Sequence, residues 1–447
     1  MKKPEEIETA LTLNKNFLYQ WGPYTAISES VVLAEWVQGG EGGCYVTVDG
    51  HGQVKRYRMV KIGNEEIGLD QSYRSMVKQG IVISPTDVDL SADFDEVYDR
   101  SVAFLRRVVE FPDERQYKLV ASYVALTWVY QVFEAIPYLR FQGDFGTGKT
   151  TALKAVSQLV YRAVMTGGAI TTAPIFRLAQ KVKGTFMLDE ADYKSSDMES
   201  DIIKILNCGY TKGSPVLRMG PRMEPMTYDV FGPKVISGRE AFKDSALESR
   251  CLTISMTPRT KGLESLGNED IQREAVEIRN GFLGLRMRGI VQHDKAAETE
   301  LTRELGKKGW EPRVAQLAYP TLAATPERHK NDVLAMFETV NEDYKSLRKD
   351  TVQAQILRAY LSCPNGVCGL AYVKNRLDED SQKRYSQKSL GAIAAKMGFE
   401  KYHMREGSAI RATAGAIERM RYVYHMESME AVEGGMQASI SSCYVEA

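Results

Sequence analysis

The chain has 447 residues, 43% hydrophobic and 26% charged, an ordinary globular profile with length for about three domains. Wholesale disorder, a fibrous repeat and a disulfide scaffold are excluded. The 58 Lys and Arg balance 58 Asp and Glu, so nucleic-acid contact would have to come from a local patch or a groove formed on assembly. No apolar run reaches the roughly 18–20 residues of a membrane span, and Met1-Lys2-Lys3-Pro4-Glu5-Glu6 lacks the apolar stretch of a signal peptide. Cys44, Cys208, Cys251, Cys363, Cys368 and Cys443 are dispersed and the five histidines scattered. No zinc spacing results, and reduced thiols in a cytoplasmic protein are expected.

Along residues 1–94, Cys44–Val48 and Val54–Val60 flank a glycine-rich turn, which predicts a hairpin in an α+β segment. Val97, Val102, Phe104, Leu105, Val108 and Val109 recur at helical spacing, Pro112 interrupts, and a second helix is expected from about Glu114 to Phe133. Strands and helices then alternate from 136 to 262, an α/β pattern. Helical patterns fill 263–348. Residues 349–426 read as three helices followed by short strands. The tail, 427–447, has four Glu and no Lys or Arg and is expected to be disordered.

Gly143-Asp144-Phe145-Gly146-Thr147-Gly148-Lys149-Thr150 fits G-x-x-x-x-G-K-[ST] in full, followed by Thr151. A strand, Tyr138–Gln142, precedes it, and a helix pattern, Thr151–Tyr161, follows. Glycines let backbone N–H groups turn toward phosphate oxygens, and the helix points its positive end at the same anion. Lys149 can reach the β- and γ-phosphates of ATP, and the Thr150 hydroxyl can bind Mg²⁺. The apolar run Gly184–Leu188 ends in Asp189 and Glu190. Asp189 is expected to hold Mg²⁺ and Glu190 to polarise the attacking water. Asp189-Glu190-Ala191-Asp192 also matches the DEAD-box string, but the other motifs of those helicases are missing.

On these residues the sequence resembles an AAA+ ATPase, and more narrowly the helicase modules of phage, plasmid and integrative-element replication proteins, relatives of superfamily 3 and MCM-type helicases. The resemblance covers about Phe94 to Ala324. Tyr228–Gly238 looks like the strand that carries sensor 1, which makes Ser237 the polar sensor near the γ-phosphate. Asp244–Cys251 is similar to the Ser-Arg-Cys segment of clamp loaders, which implies Arg250 as an arginine finger; the alternative is a surface ion pair. Trp310–Leu317 resembles the lid helix that carries sensor 2, which would be Arg313. A finger acts on a neighbour's nucleotide, so the family implies a homo-oligomer, usually a hexameric ring. The implied architecture is a P-loop AAA+ core (136–262) with an N-terminal α+β domain (1–94), a helical collar (95–135), a helical lid (263–348) and a C-terminal winged helix (349–426).

Two segments bear on nucleic acid. Pro215–Met219 and Met226–Val230 around Gly220-Pro221-Arg222 read as a hairpin just before sensor 1. In the resembling helicases a hairpin there lines the pore. Lys212, Arg218 and Arg222 are then expected phosphate contacts for single-stranded DNA, with a solvated hairpin or subunit contact as the alternative. Between Lys383 and Arg421, nine basic residues face three acidic ones. Lys383, Arg384 and Lys388 are expected at the start of the third helix of the winged helix, the recognition position on duplex DNA; protein contact is the alternative use. The reading is an ATP-driven DNA motor, a replicative helicase of a phage or mobile element. An initiator, loader or remodelling ATPase, and a nucleotide-gated switch in a defence or regulatory complex, are the alternatives. No primase acid cluster occurs before residue 95, so no polymerising activity is expected.

Overall fold

The computed structural model describes residues 7–13, 25–26, 34–39, 43–48, 51–62, 65–67, 71–166, 172–189, 196–219, 224–242, 244–289, 294–363, 366–404 and 407–426. The chain forms two compact units, residues 1–338 and 339–447. The tail, 427–447, lies outside the described residues.

The first unit opens with strands β1 (Ile7–Leu13), β2 (Thr25–Ala26), β3 (Ala34–Val37), β4 (Cys44–Val48), β5 (Val54–Ile62) and β6 (Glu65–Ile67). They form a sheet in the order β1-β5-β4-β3-β2, with β6 on β5. The expected hairpin is β4–β5, antiparallel with Val46 opposite Arg56 and Val48 opposite Val54. Helix α1 (Gln71–Lys78) and strand β7 (Val82–Ile83) lead to α2 (Phe94–Val108) and α3 (Glu114–Val129). Asp93 caps α2 by accepting from Glu96 N–H, and Asp113 with Gln116 forms a capping box at α3. From Leu119 onward α3 is buried, so its apolar residues show no single face.

The central sheet is built from β8 (Tyr138–Gln142), β9 (Ala163–Thr166), β10 (Phe186–Leu188), β13 (Lys234–Gly238) and β14 (Cys251–Ser255), in the order β14-β8-β13-β10-β9-β7. All its pairs are parallel except β7 on β9. Between these strands come α4 (Lys149–Ser157), α5 (Thr172–Val182), α6 (Ser196–Cys208), the hairpin β11 (Val216–Met219) and β12 (Pro225–Tyr228), and α7 (Ser245–Glu248). Helix α4 stops at Ser157, four residues short of the expected end. Leu159, Val160 and Tyr161 are buried in the turn after it, so their apolar character serves the core and not a helix face. Helices α8 (Glu269–Met287), α9 (Lys295–Lys307), α10 (Pro312–Ala323) and α11 (Lys330–Lys349) come next. Trp128 of α3 stacks on Phe282 of α8, with centroids 5.8 Å apart, and its indole N–H donates to Leu159 O at 3.0 Å. Among the described residues no helix is long and apolar enough to cross a membrane.

A buried charge cluster joins the N-terminal sheet to the rest of this unit. The Glu35 carboxylate of β3 accepts from Arg162 Nη2 at 2.6 Å, from Arg286 Nε at 2.7 Å and from the Tyr161 hydroxyl at 3.0 Å. The side chains of Glu35, Arg162 and Arg286 are each 1% exposed. Removing the carboxylate takes from two buried guanidiniums the counter-charge they share. Glu35→Ala is therefore expected to lose about 3–5 kcal/mol of stability, read as a lower urea or thermal midpoint, with no corresponding effect from exposed Glu277→Ala.

The second unit holds α12 (Val352–Leu361), β15 (Val367–Gly369), α13 (Leu370–Asn375), α14 (Glu379–Arg384), α15 (Gln387–Met397), β16 (Glu400–Met404), β17 (Gly407–Arg411) and α16 (Ala414–Val423), with an antiparallel sheet β15-β17-β16. Leu357, Leu390 and Ile410 are fully buried in its core, with Leu370 buried beside them. One expectation is corrected here. Lys383 and Arg384 do not open the third helix; they end a separate short helix, α14, capped by Asp378. Tyr385 is extended, Ser386 caps the next helix by accepting from Ser389 N–H, and only Lys388 lies in the first turn of α15.

Candidate active site

The phosphate-loop residues come directly after β8. Gly148 sits at φ +87° as the left-handed N-cap of α4, a conformation that a side chain at this position would strain. Thr147 is buried, and its hydroxyl donates to Asp144 O at 2.8 Å. Asp144, Phe145, Gly146, Thr150 and Thr151 are exposed, and Gly143 and Lys149 are half-buried. The Lys149 ammonium folds over the loop, donating to Gly143 O at 2.7 Å and to Asp144 O at 2.6 Å.

Two neighbouring strands bring their ends to the same edge of the sheet. Asp189 comes just after β10, and its Oδ1 accepts from the Thr150 hydroxyl at 3.2 Å and from the Ser237 hydroxyl of β13. Lys149, Thr150, Asp189 and Ser237 thus meet at the carboxyl ends of β8, β10 and β13, the usual ligand edge of a parallel sheet. The facing Thr150 hydroxyl and Asp189 carboxylate are hard oxygen donors of the kind that Mg²⁺ takes, so this donor set fits the ion. Glu190 lies outside the described residues.

The two arginines stand at the opposite edge. Arg250 immediately precedes β14, and Cys251 pairs with Tyr138, the first residue of β8. The five-residue strand β8 separates this end from the phosphate loop by about 15 Å. Arg250 is 9% exposed; its guanidinium donates to Asn207 Oδ1 and lies 4.2 Å from the Tyr210 ring centroid. Arg313 of α10 lies 5.1 Å from the same ring, donating to Tyr210 Oη at 3.3 Å and to Gln316 Oε1 at 2.8 Å. Tyr210 is itself tied to the start of β8, its carbonyl accepting from Ile136 N–H at 3.0 Å. Burial pushes the Tyr210 hydroxyl up, but the hydrogen bonds and charges of Arg313 and Arg250 outweigh it and leave the group below its ordinary range. Neither arginine therefore stands beside its own chain's phosphate loop.

Helix α7, which precedes Arg250, is held to β8 by Arg140, whose guanidinium grips both Glu248 oxygens and whose Nε donates to Thr253 Oγ1 at 3.1 Å. Sequence reasoning missed Tyr210, Asn207 and this Arg140–Glu248 pair. Only Tyr210 left a trace, as an aromatic just after the glycine that ends a helix.

The hairpin β11–β12 pairs Val216 with Tyr228 and Met219 with Pro225. On its exposed side Leu217 is 68% and Met219 61% exposed, with exposed Thr227 opposite Leu217. Arg218 projects to the other side, where its guanidinium lies 4.2 Å from the Phe176 ring centroid. Lys212 is 3.6 Å from Glu134. Arg222 lies outside the described residues. In the second unit Lys383 is exposed, 4.0 Å from Glu379, and Arg384 lies over the Tyr385 ring at 5.6 Å. Lys388 is exposed on α15.

No family model and no curated protein matches the chain. Among solved structures it is similar to JCV helicase in complex with a thiazolopyridine acetamide (14% identity, TM-score 0.27), covering 56% of this chain and 62% of that one. It is also similar to the apo C-terminal region of NrS-1 (13% identity, TM-score 0.35), over 85% of this chain and 96% of that one. A third is SCCmec type IV Cch, described as an active helicase (10% identity, TM-score 0.34), over 92% and 91%. The chain thus spans less than two thirds of the JCV helicase chain. Likeness at this level identifies no family, and the chemistry is read from this chain's own residues.

Proposed function

We propose that this chain is an AAA+ ATPase that works as a nucleic-acid motor in a ring of its own copies, a replicative DNA helicase of a phage or mobile element. The observation that carries it is the convergence of Lys149, Thr150, Asp189 and Ser237 at one sheet edge while Arg250 and Arg313 stand at the other. A single copy then supplies phosphate-binding groups at one end and cationic groups at the other, and a complete site needs two copies. Lys149 exchanges its carbonyl partners for phosphate oxygens when ATP enters, and the exposed N–H groups of the loop and of α4 hold the rest of the anion. Thr150 and Asp189 hold Mg²⁺, which when bound neutralises charge on the phosphates. Ser237 keeps Asp189 oriented. Glu190, next along the chain, takes the base role toward water, and Arg250, with Arg313 beside it, stabilises charge on the neighbouring copy's nucleotide.

The hairpin near Arg218 is the proposed strand contact. Its exposed face is Leu217 and Met219, so it touches sugars and bases by apolar contact, which is tolerant of sequence. The second reading is an initiator, loader or remodelling ATPase that binds DNA without unwinding it, with the hairpin face as a contact that moves no strand. The six-domain division, with a winged helix at 349–426 using Lys383, Arg384 and Lys388 on duplex DNA, belongs to this proposal.

ATP hydrolysis by the wild type and by Glu190→Gln, each with and without single-stranded DNA and with particle mass recorded, tests it. Stimulation by DNA, loss in the variant and a ring-sized particle are expected. Hydrolysis indifferent to DNA would leave an ATPase and move the reading to the remodeller or the switch.

A further inference from the structure

We infer that Lys234 is a positioning residue: its buried side chain fastens the exit of the β11–β12 hairpin to the end of α6, so that the hairpin and the Tyr210 arginine pair move together. This rests on the motor reading above and adds to it the element that links strand contact to hydrolysis.

Lys234 opens β13 and is 2% exposed. Its ammonium donates to Val230 O and Gly232 O, both at 2.8 Å, and to Gly209 O at 3.4 Å. The first two carbonyls come just after the hairpin; the third ends α6, one residue before Tyr210. The backbones meet there as well, Gly232 N–H donating to Gly209 O at 3.2 Å. Gly209 fits because it has no Cβ, which would come within 2.5 Å of the Lys234 Nζ and 2.6 Å of Val230 O. The other side of the hairpin is anchored too: Thr211 bridges Ala135, and Lys212 N–H donates to Glu134 O at 3.0 Å. Three residues beyond Lys234 stands Ser237, bonded to Asp189. One side chain therefore touches the hairpin exit and the helix end beside the arginines, and it begins the strand that reaches the phosphate site.

For stability alone this is a poor choice. Burying an ammonium costs several kcal/mol, and an apolar residue of like volume is often as good or better. What the ammonium supplies is three directed donors for three carbonyls from two segments.

The groups that face it are the Tyr138 ring of β8 at 5.2 Å, Cys208 of α6, Asp229 after the hairpin with its ion-pair partner Lys183, and Tyr123 of α3, whose hydroxyl bonds the Lys234 backbone. Burial pulls the ammonium down to about 7 against the attraction of Asp229. Below that pH three N–H donors serve three carbonyls. Above it the neutral amine has two, and the clamp loosens.

The test is ATP hydrolysis by the full chain with and without oligo(dT), from about pH 6 to about pH 8.5, for the wild type and Lys234→Met. In the wild type the DNA-stimulated component is expected to fall as pH rises through about 7 while the basal rate does not. Lys234→Met is expected to keep the basal rate and ATP affinity, to lose about fivefold or more of the stimulation, a coupling of ordinary size, and to show no such pH dependence. Stimulation and a pH profile equal to the wild type would overturn the inference and leave the motor reading intact. A wild type that DNA does not stimulate would overturn both. Should Lys234→Met fail to fold, Gly209→Ala decides: its Cβ would come within 2.5 Å of the same ammonium, a loss of stimulation is expected, and stimulation equal to the wild type would overturn the inference.

Discussion

Arg250→Ala is expected to bind ATP as the wild type does and to hydrolyse it about 10³-fold more slowly, the size of effect that a charge-stabilising arginine has in phosphoryl transfer. The sheet makes the experiment sharper than a single loss. Arg250 and the phosphate loop lie at opposite ends of β8, paired through Cys251–Tyr138 at one end and Ser255–Gln142 at the other. A variant lacking Arg250 keeps a whole phosphate loop, and a variant lacking Lys149 keeps a whole arginine end. Mixing Arg250→Ala with Lys149→Ala is therefore expected to restore hydrolysis that neither has alone, because some junctions join one's loop to the other's arginine. No recovery on mixing, with both variants folded and assembled, would mean that Arg250 is only the partner of Asn207 and Tyr210.

Lys149→Ala by itself is expected to lower hydrolysis about 10²–10³-fold, the loss typical of removing one donor aimed at developing charge, and to weaken ATP binding as well. The structure adds a reason to expect no gross unfolding. Lys149 spends its ammonium on the carbonyls of Gly143 and Asp144, which are at the half-exposed to exposed end of the site and can turn to water when it is gone. A melting midpoint close to the wild type, with nucleotide binding measured by a fluorescent ATP analogue, checks both parts. An unchanged rate would remove the phosphate-loop reading altogether.

The features legible in the sequence were the local ones. Strand, glycine loop and helix are contiguous in 138–157, and the physics of phosphate binding demands that order, so the loop was legible. The β11–β12 hairpin was legible too, as two strand-like runs close in sequence, although its register, with Val216 opposite Tyr228, was not. The surroundings of Arg250 were not: Asn207 and Tyr210 are about forty residues earlier, and nothing in their spacing says that one ring takes two guanidiniums. The facing of Arg218 was not legible either: one position along the strand, alternation turns Leu217 outward and sets the arginine against Phe176. Lys383 and Arg384 were misplaced by ignoring Asp378 and Ser386 as two separate caps. The ammonium of Lys234 was hidden in an apolar strand, where a lysine reads as an end residue.

The Glu35 cluster bears on how this protein can be cut. Residue 95 looks like the natural place to separate an N-terminal module from the segment that carries the phosphate-loop sequence. Any such truncation discards Glu35 with β3 and removes the carboxylate that Arg162 and Arg286, from far along the chain, share. The excised piece keeps the repulsion that Arg162 already exerts on Arg286, now without the Glu35 carboxylate that offsets it. Strand β3 is thus a structural part of the unit that carries the phosphate-loop sequence. Transplanting that segment into another protein would require either Glu35 to travel with it or both arginines to be replaced by neutral side chains.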